Sequence, residues 1–494
     1  MKRASFITAL LISACSFTSL FAAGVDLTGV GARATALGGN YRAVSDDWSA
    51  MFWNPAGMAF SKGWKVGASL EFVTPVVGYT PKFSLAGQQF SATSSQEIEN
   101  EPKTFTIPAA GIYYSNEKFA AGLAFWAPFG LGAKWDLLNT QTYNNKYPEY
   151  DFEDDLMIVA VQPTVAYRVS DKFSLGLGAS LTLADIMIRK PNFTPNPYIY
   201  NQSINALVSA AFPAAALSSP FDHLLTETEL QGDGMSFGVN LGAMYKITPC
   251  LNFGASMRFY NDIPLEGTVT ATNYFANLPA VHGAVQAAVV PTLTALKNAG
   301  QIQITQQQFD VLANYYSGAV VPHIPETDVK ADMPLPMNIG AGIAYTGVPR
   351  LLVTADVAWS QWSAWDVIDI NDTDGNPISA LVQNWEDGIR AGVGLEYNVG
   401  FGFLRGAYYT EPRAAVNETM TPAIPDANRR HVANIGFELP VGPLRLHASY
   451  EKIFIGELSV DEWNLRPDNS GYENQAGDYK MDINNFMVGM DYQF

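Results

Sequence analysis

The sequence predicts an all-β fold, a 14-stranded antiparallel transmembrane β-barrel with an N-terminal hatch (plug) inside its lumen. The first observation behind this is a period of two. Phe173, Leu175, Leu177, Ala179, Leu181 and Leu183 alternate with Ser174, Gly176, Gly178, Ser180 and Thr182. Alternation at that period is β-strand. It returns in SFGVNLGAMY (236–245), LNFGASMRF (251–259) and IRAGVGLEY (389–397). The second observation is the character of the two faces. One carries large apolar residues, which suit lipid; the other carries Gly, Ser and Asn, which suit a crowded, curved interior. The third is bulk composition: of 494 residues only 15% are charged, yet mean hydropathy is just +0.02, as interleaved apolar and polar residues require. Backbone polar groups in a bilayer must all be paired, so such strands close into a barrel.

The elements follow in chain order. MKRASFITALLISACSFTSLFAAG has a basic start at Lys2 and Arg3, an apolar stretch to Phe21 and then small residues. It reads as a secretory signal over 1–22, cleaved after Ala22. A rival reading makes ISAC (12–15) a lipoprotein box acylated at Cys15. Residues 23–62 are not strand. GARATALGGNYRAVSDDWSAMFWNPAGMAF (31–60) mixes Gly, Ala and small helical pieces, and is too short to fold alone. Its place is the lumen, as a plug. The barrel, 63–494, is expected from strands at 65–76, 105–114, 118–127, 156–168, 172–188, 234–247, 250–262, 335–345, 351–362, 387–398, 402–409, 431–439, 443–454 and 482–494. An even count is the rule for bacterial single-chain barrels. Tight links such as 115–117, 170–171 and 248–249 belong on the periplasmic side, and long outer loops fall at 190–232 and 271–333. Those loops carry helical segments at 201–212, 279–298 and 306–316, with Val281, Val285, Ala288, Val289 and Leu293 on one apolar face. Such a face either caps the barrel mouth or forms a landing site for a hydrophobic ligand. The last strand puts Phe486, Val488, Met490, Tyr492 and Phe494 on its lipid face.

Composition also excludes. The net charge of −18 comes with no basic cluster, which argues against a nucleic-acid partner. If the signal is removed, Cys250 stands alone, so neither a disulfide framework nor a CxxC metal site exists. No cofactor or metal is expected. None of His223, His282, His323, His431 and His447 lies in HExxH or another catalytic motif, and no enzyme activity is expected. After the signal there is no run of 18 apolar residues to make a transmembrane helix. By parity Arg258, Arg390, Arg405 and Arg445 point inward together with Glu71, Asp356, Glu396, Glu438 and Glu451. They are expected to form an ion-pair lattice that anchors the hatch.

GARATALGGNYRAVSDDWSAMFWNPAG (31–57), with its Asn54-Pro55-Ala56 triplet, resembles the N-terminal hatch of the FadL/TodX family of outer-membrane hydrophobic-compound transporters. APFGLG (127–132) resembles that family's kinked third strand. LQGDGMSFGVNLGAMYKI (230–247) and LRGAYYTEPRAAVNETMTPAIPDANRRHVANIGFEL (404–439) resemble its later strands. The resemblance implies a bacterial outer-membrane protein that takes up long-chain fatty acids or other apolar small molecules. Solute would be captured at the outer loops and released sideways through the barrel wall. It leaves open a protein-secretion component or scaffold with the same hatch. The expected gate joins Asn54, Pro55 and Ala56 to Pro128, Phe129 and Gly130, because Pro128 lacks a ladder donor and Gly130 permits a bend. Arg258 and Arg390 are the expected carboxylate partners. Phe494 resembles the terminal aromatic read by the barrel-assembly machinery. Outer-membrane lipid and lipopolysaccharide would surround a monomer.

Overall fold

The computed structural model describes residues 25–27, 29–82, 96–137, 143, 146–195, 223–314, 316–461 and 474–493. The signal segment with Cys15, the expected 201–212 helix and Phe494 lie outside these residues. Among them, no helix is long and apolar enough to cross a membrane.

Fourteen antiparallel strands close on themselves. Numbered in chain order they are β1 (Gly63–Pro81), β2 (Phe105–Ser115), β3 (Phe119–Trp135), β4 (Phe152–Arg168), β5 (Phe173–Pro195), β6 (His223–Thr248) and β7 (Leu251–Tyr260), followed by β8 (Asn338–Val348), β9 (Leu351–Ser360), β10 (Gly388–Asn398), β11 (Phe403–Glu411), β12 (Arg430–Val441), β13 (Leu444–Ile455) and β14 (Gly477–Gln493). Each pairs with its neighbours in sequence. β7 meets β8 across one long outer excursion and β9 meets β10 across another. β1 closes the ring against β14, from Lys65 opposite Gln493 to Pro81 opposite Gly477. Closing the ring is what a bilayer demands of a sheet.

The side chains sort as the alternation requires. Leu175, Leu177, Leu241, Ile389, Val393 and Phe486 are exposed on the outer wall. Trp64, Tyr114, Phe119, Tyr167, Tyr245 and Phe401 stand exposed toward the tight-turn end. Aromatic rings of this kind prefer the membrane interface. The opposite limit is a run of outward charges linked across β3, β4, β5 and β6. Glu153 joins Lys134 and Arg189, and Arg189 joins Glu229 at 2.7 Å. On β4 the apolar outer face from Tyr167 to Met157 spans roughly 25 Å once a tilt of about 40° is allowed, which is the height of a barrel's lipid band.

Above that band the structure departs from the expected loops. The loop placed at 190–232 is strand at both described ends: β5 and β6 stay paired up to Pro195 opposite His223. The loop placed at 271–333 is flanked by strands Ile263–Tyr274 and Val320–Met333, which pair with each other, while the first continues along upper β6. A second outer hairpin joins Val367–Asp372 to Pro377–Val382. The wall therefore rises well beyond the bilayer. α3 (Pro279–Asn298, one helical run with a wide central turn) and α4 (Gln306–Asn314) close its top. Val285, Val289, Leu293 and Leu312 are buried, so the apolar face turns into the lumen and not to water.

Residues 25–27 and 29–61 lie inside the barrel. α1 (Ala32–Ala36), α2 (Ala50–Trp53) and a 3-10 turn at Pro55–Phe60 pack against inward faces of the wall. Inward glycines permit this approach. A Cβ at Gly254 would stand 2.1 Å from the Arg42 carbonyl oxygen, and one at Gly242 would stand 2.2 Å from Asn54 Oδ1.

Candidate functional site

The buried side chains of the lumen form two main bodies. The upper one is apolar and aromatic. It runs from Val285 and Leu293 of α3 through Trp362, Trp365 and Trp385 to Phe129 on β3, and takes in Val25 and Leu27. The tryptophan rings are 4.7 to 6.0 Å apart, and Phe129 packs edge-on against Trp362 (6.3 Å) and Tyr260 (5.7 Å). The lower body is built on Val30, Leu37, Tyr41, Trp48, Phe52 and Trp53 of the N-terminal segment.

Charge fixes that lower body to the wall. Arg33 makes a bidentate pair with Glu396 (2.8 and 3.0 Å). Glu396 also takes Arg405 (2.6 Å), which reaches Glu438 in turn. Arg42 meets Asp356 (3.3 Å), Ser256 (3.1 Å) and Asn338 (2.9 Å). The end of α2 is held by the wall too, because Gln162 and Asn240 donate to its Met51 carbonyl oxygen (2.7 and 2.8 Å). These bonds satisfy carbonyls that a helix terminus leaves without partners.

The wall itself is broken beside Phe129. β3 stays paired with β4 from Phe119 to Trp135, with a register shift between Trp126 and Phe129 where Pro128 interrupts the ladder. Its other edge pairs with β2 only between Ala120 and Phe125. Higher up, the Glu101 N–H donates to the Lys134 carbonyl oxygen (2.9 Å), which bounds the break from above. The third strand therefore does not end at Ala127 as expected; it runs through the proline, bulges, and parts from β2. Into the break comes the N-terminal segment. Leu27 donates to the Pro128 carbonyl oxygen (2.9 Å), Gly130 donates to that of Val25 (2.9 Å), and Asp26 bridges to Phe129.

The expected gate is thus divided. Pro128, Phe129 and Gly130 lie at the break, but Asn54, Pro55 and Ala56 do not meet them. Asn54 Nδ2 donates to the carbonyl oxygens of Arg42 (2.7 Å) and Ala243 (3.0 Å), and its Oδ1 caps Ala56 N–H (3.2 Å). Ser174 donates to the Ala56 carbonyl oxygen (2.8 Å), and Pro55 and Ala56 press on Gly176. The triplet anchors the hatch to β5 and β6. Val25, Asp26 and Leu27 are the partners of the break, and sequence reasoning missed them. Their contacts are backbone bonds, which leave no mark on residue type.

Arg258 and Arg390 come together around one small cavity that Asp26 and Glu411 also line. Arg390 lies over Tyr409 (3.7 Å) and donates to the Gly38 carbonyl oxygen. Arg258 is buried, lies over Phe52 (3.6 Å) and leaves Nη1 without a hydrogen-bond partner. It also lines a second cavity, against Pro128 and Phe129. Burial raises the Asp26 carboxyl above its ordinary value, and the Arg258 charge opposes this. No group of three or more metal-ligating side chains occurs among the described residues.

A sequence profile described as outer membrane protein transport protein (OMPP1/FadL/TodX) matches residues 12–494. A long-chain fatty acid transport protein of Escherichia coli O6:H1 is 23% identical over 262 residues, 51% of this chain and 54% of the relative, so the chain spans about half of the curated relative it matches. Two solved structures share the fold at 17% identity. A Pseudomonas aeruginosa FadL homologue gives a TM-score of 0.70, covering 96% of this chain and all (100%) of that one. The toluene transporter TodX of P. putida gives 0.67, covering 95% and 99%.

Proposed function

The chain belongs to the OMPP1/FadL/TodX outer-membrane transport family, and we propose that it carries hydrophobic solutes, long-chain fatty acids foremost, from the cell exterior into the outer membrane. The observation that carries this reading is the break between β2 and β3. It adjoins the apolar upper lumen and is filled by three N-terminal residues held through backbone bonds. An apolar solute crosses neither a polar saccharide leaflet nor a water-filled bore readily, and an apolar path past aromatic side chains avoids both. Solute entering beneath α3 and α4 meets Trp385, Trp365 and Trp362 before Phe129. Withdrawal of Val25–Leu27 then opens a sideways exit at Pro128–Gly130. Arg258, whose Nη1 has no hydrogen-bond partner and which lines a cavity with Phe129, would receive a fatty carboxylate before release.

Gly130→Arg tests the route. It puts a long charged side chain at the break, where burial without a partner is costly. Uptake of a labelled long-chain fatty acid is expected to fall several-fold, with surface capture and heat-modifiable folding near wild type. Uptake at the wild-type rate in the folded variant rejects lateral release. Absence of any bound apolar solute after lipid-free extraction favours the secretion or scaffold reading instead.

A further inference from the structure

We propose that Asp154 and Trp135 form a polar subsite in the upper lumen that takes the hydroxyl head of an otherwise apolar solute. The proposal rests on the transport reading above and adds alcohols to the hydrophobic solutes it covers.

Trp135 ends β3 and lies opposite Phe152 of β4; Asp154 lies opposite Ala133. The two are diagonal neighbours on one face of the ladder, the reach over which long side chains interact. Both are buried, Trp135 at 1% exposure and Asp154 at 3%. The residues around them on the inward face, Ala133, Phe152 and Leu156, belong to the apolar cluster that ends at Phe129. Within that setting Trp135 Nε1 and both carboxylate oxygens of Asp154 have no hydrogen-bond partner. Lys190, inward on β5, acts on Asp154 by its charge. A buried polar atom without a partner is costly, and native structures rarely keep two adjacent ones unless something binds them.

The chemistry of the pair selects its ligand. Indole N–H only donates, and a carboxylate only accepts. One group that satisfies both must accept from Trp135 and donate to Asp154, which a hydroxyl does. An ammonium offers no lone pair to the indole. A carboxylate offers no proton to an ionised Asp154 and meets a like charge there. An alkane leaves both atoms as they are. The pair lies about 13 Å up β4 from Ile158, the residue opposite Phe129 at the break, by the usual rise of a strand. A fatty alcohol held there by its head would lay its chain against the apolar cluster that reaches Phe129.

The test uses the full-length protein in nanodiscs and compares retention of radiolabelled 1-octanol, octane and octanoate, with empty nanodiscs correcting for partition into lipid. Wild type is expected to retain octanol at least about tenfold over octane. Asp154→Val is expected to bring octanol down to the octane level while octane holds or rises. Trp135→Phe, which keeps the ring and removes the donor, is expected to lower octanol about threefold. Equal retention of octanol and octane by wild type, or an Asp154→Val protein that keeps the preference, overturns the subsite and leaves the transport reading standing. Retention of none of the three by wild type overturns both. Heat-modifiability checks folding, and because octane binding is read in the same sample, a misfolded variant shows itself by losing both.

Discussion

The lumen above Phe129 and the lumen below it are filled in different ways. Above, Trp362, Trp365, Trp385, Val285 and Leu293 meet through apolar surface, and the buried polar groups Asp154 and Trp135 Nε1 are left without partners. Below, the N-terminal segment is tied to the wall by directional bonds: Arg33 to Glu396, Arg42 to Asp356, and Asn54 to Ala243. Apolar contacts are non-directional and tolerate a changing occupant. A buried ion pair has one good geometry, and breaking it strands a charge. The upper lumen is thus suited to admit solutes of varied shape, and the lower lumen to hold one protein segment in one place.

Removing that segment is the strongest way to break the comparison. Deletion of residues 25–53 should raise conductance in planar bilayers at least tenfold, and an unchanged closed bilayer would show that something else fills the bore. Next comes Arg405, which joins Glu396 and Glu438 with a side chain only 1% exposed. Arg405→Met leaves both carboxylates buried, and we expect a loss of roughly 3–5 kcal/mol in urea unfolding. A loss under about 1 kcal/mol would mean that the lattice does not anchor the lower lumen. Gly242→Leu sharpens the picture at smaller cost. It presses on Asn54, should destabilise by roughly 1–3 kcal/mol, and should expose the hatch to protease before the barrel melts. The smallest effect on the barrel belongs to the upper lumen. Leu293→Ala should speed amide exchange over 279–298 by tenfold or more while the unfolding midpoint of the barrel stays within a degree or so. A barrel-wide loss of stability would show that the cap is as rigidly coupled as the hatch.

Much of this was legible in residue order. Every predicted barrel strand is present, because a wall with lipid outside and small residues inside writes a period of two. The direction of Arg258, Arg390, Arg405 and Glu396 followed from the same parity. Parity gives a face but no height along the barrel, so it could not tell Arg405, locked between two glutamates, from Arg258, which keeps a free nitrogen. Strand ends were missed where the wall leaves the bilayer. RKPNFTP at 189–195 carries two prolines and reads as loop, and IPLEGTVTATNY at 263–274 faces no lipid, so its alternation of threonine and small residues is faint. Pro128 and Gly130 announced a break but not what fills it.

That break has a meaning for the barrel's dealings with its neighbours. A sheet edge with free N–H and C=O groups is a template on which another chain can add a strand. The seam where the first and last strands meet is paired without a break from Lys65 to Pro81, and it offers no such template. The vulnerable edge is internal, on β3 above Phe125, and Val25–Leu27 occupy it as a short surrogate strand. By the same token, withdrawal of those residues would leave the edge bare. On the proposed lateral route, a brief opening would limit pairing between two barrels in a crowded membrane as well as leakage.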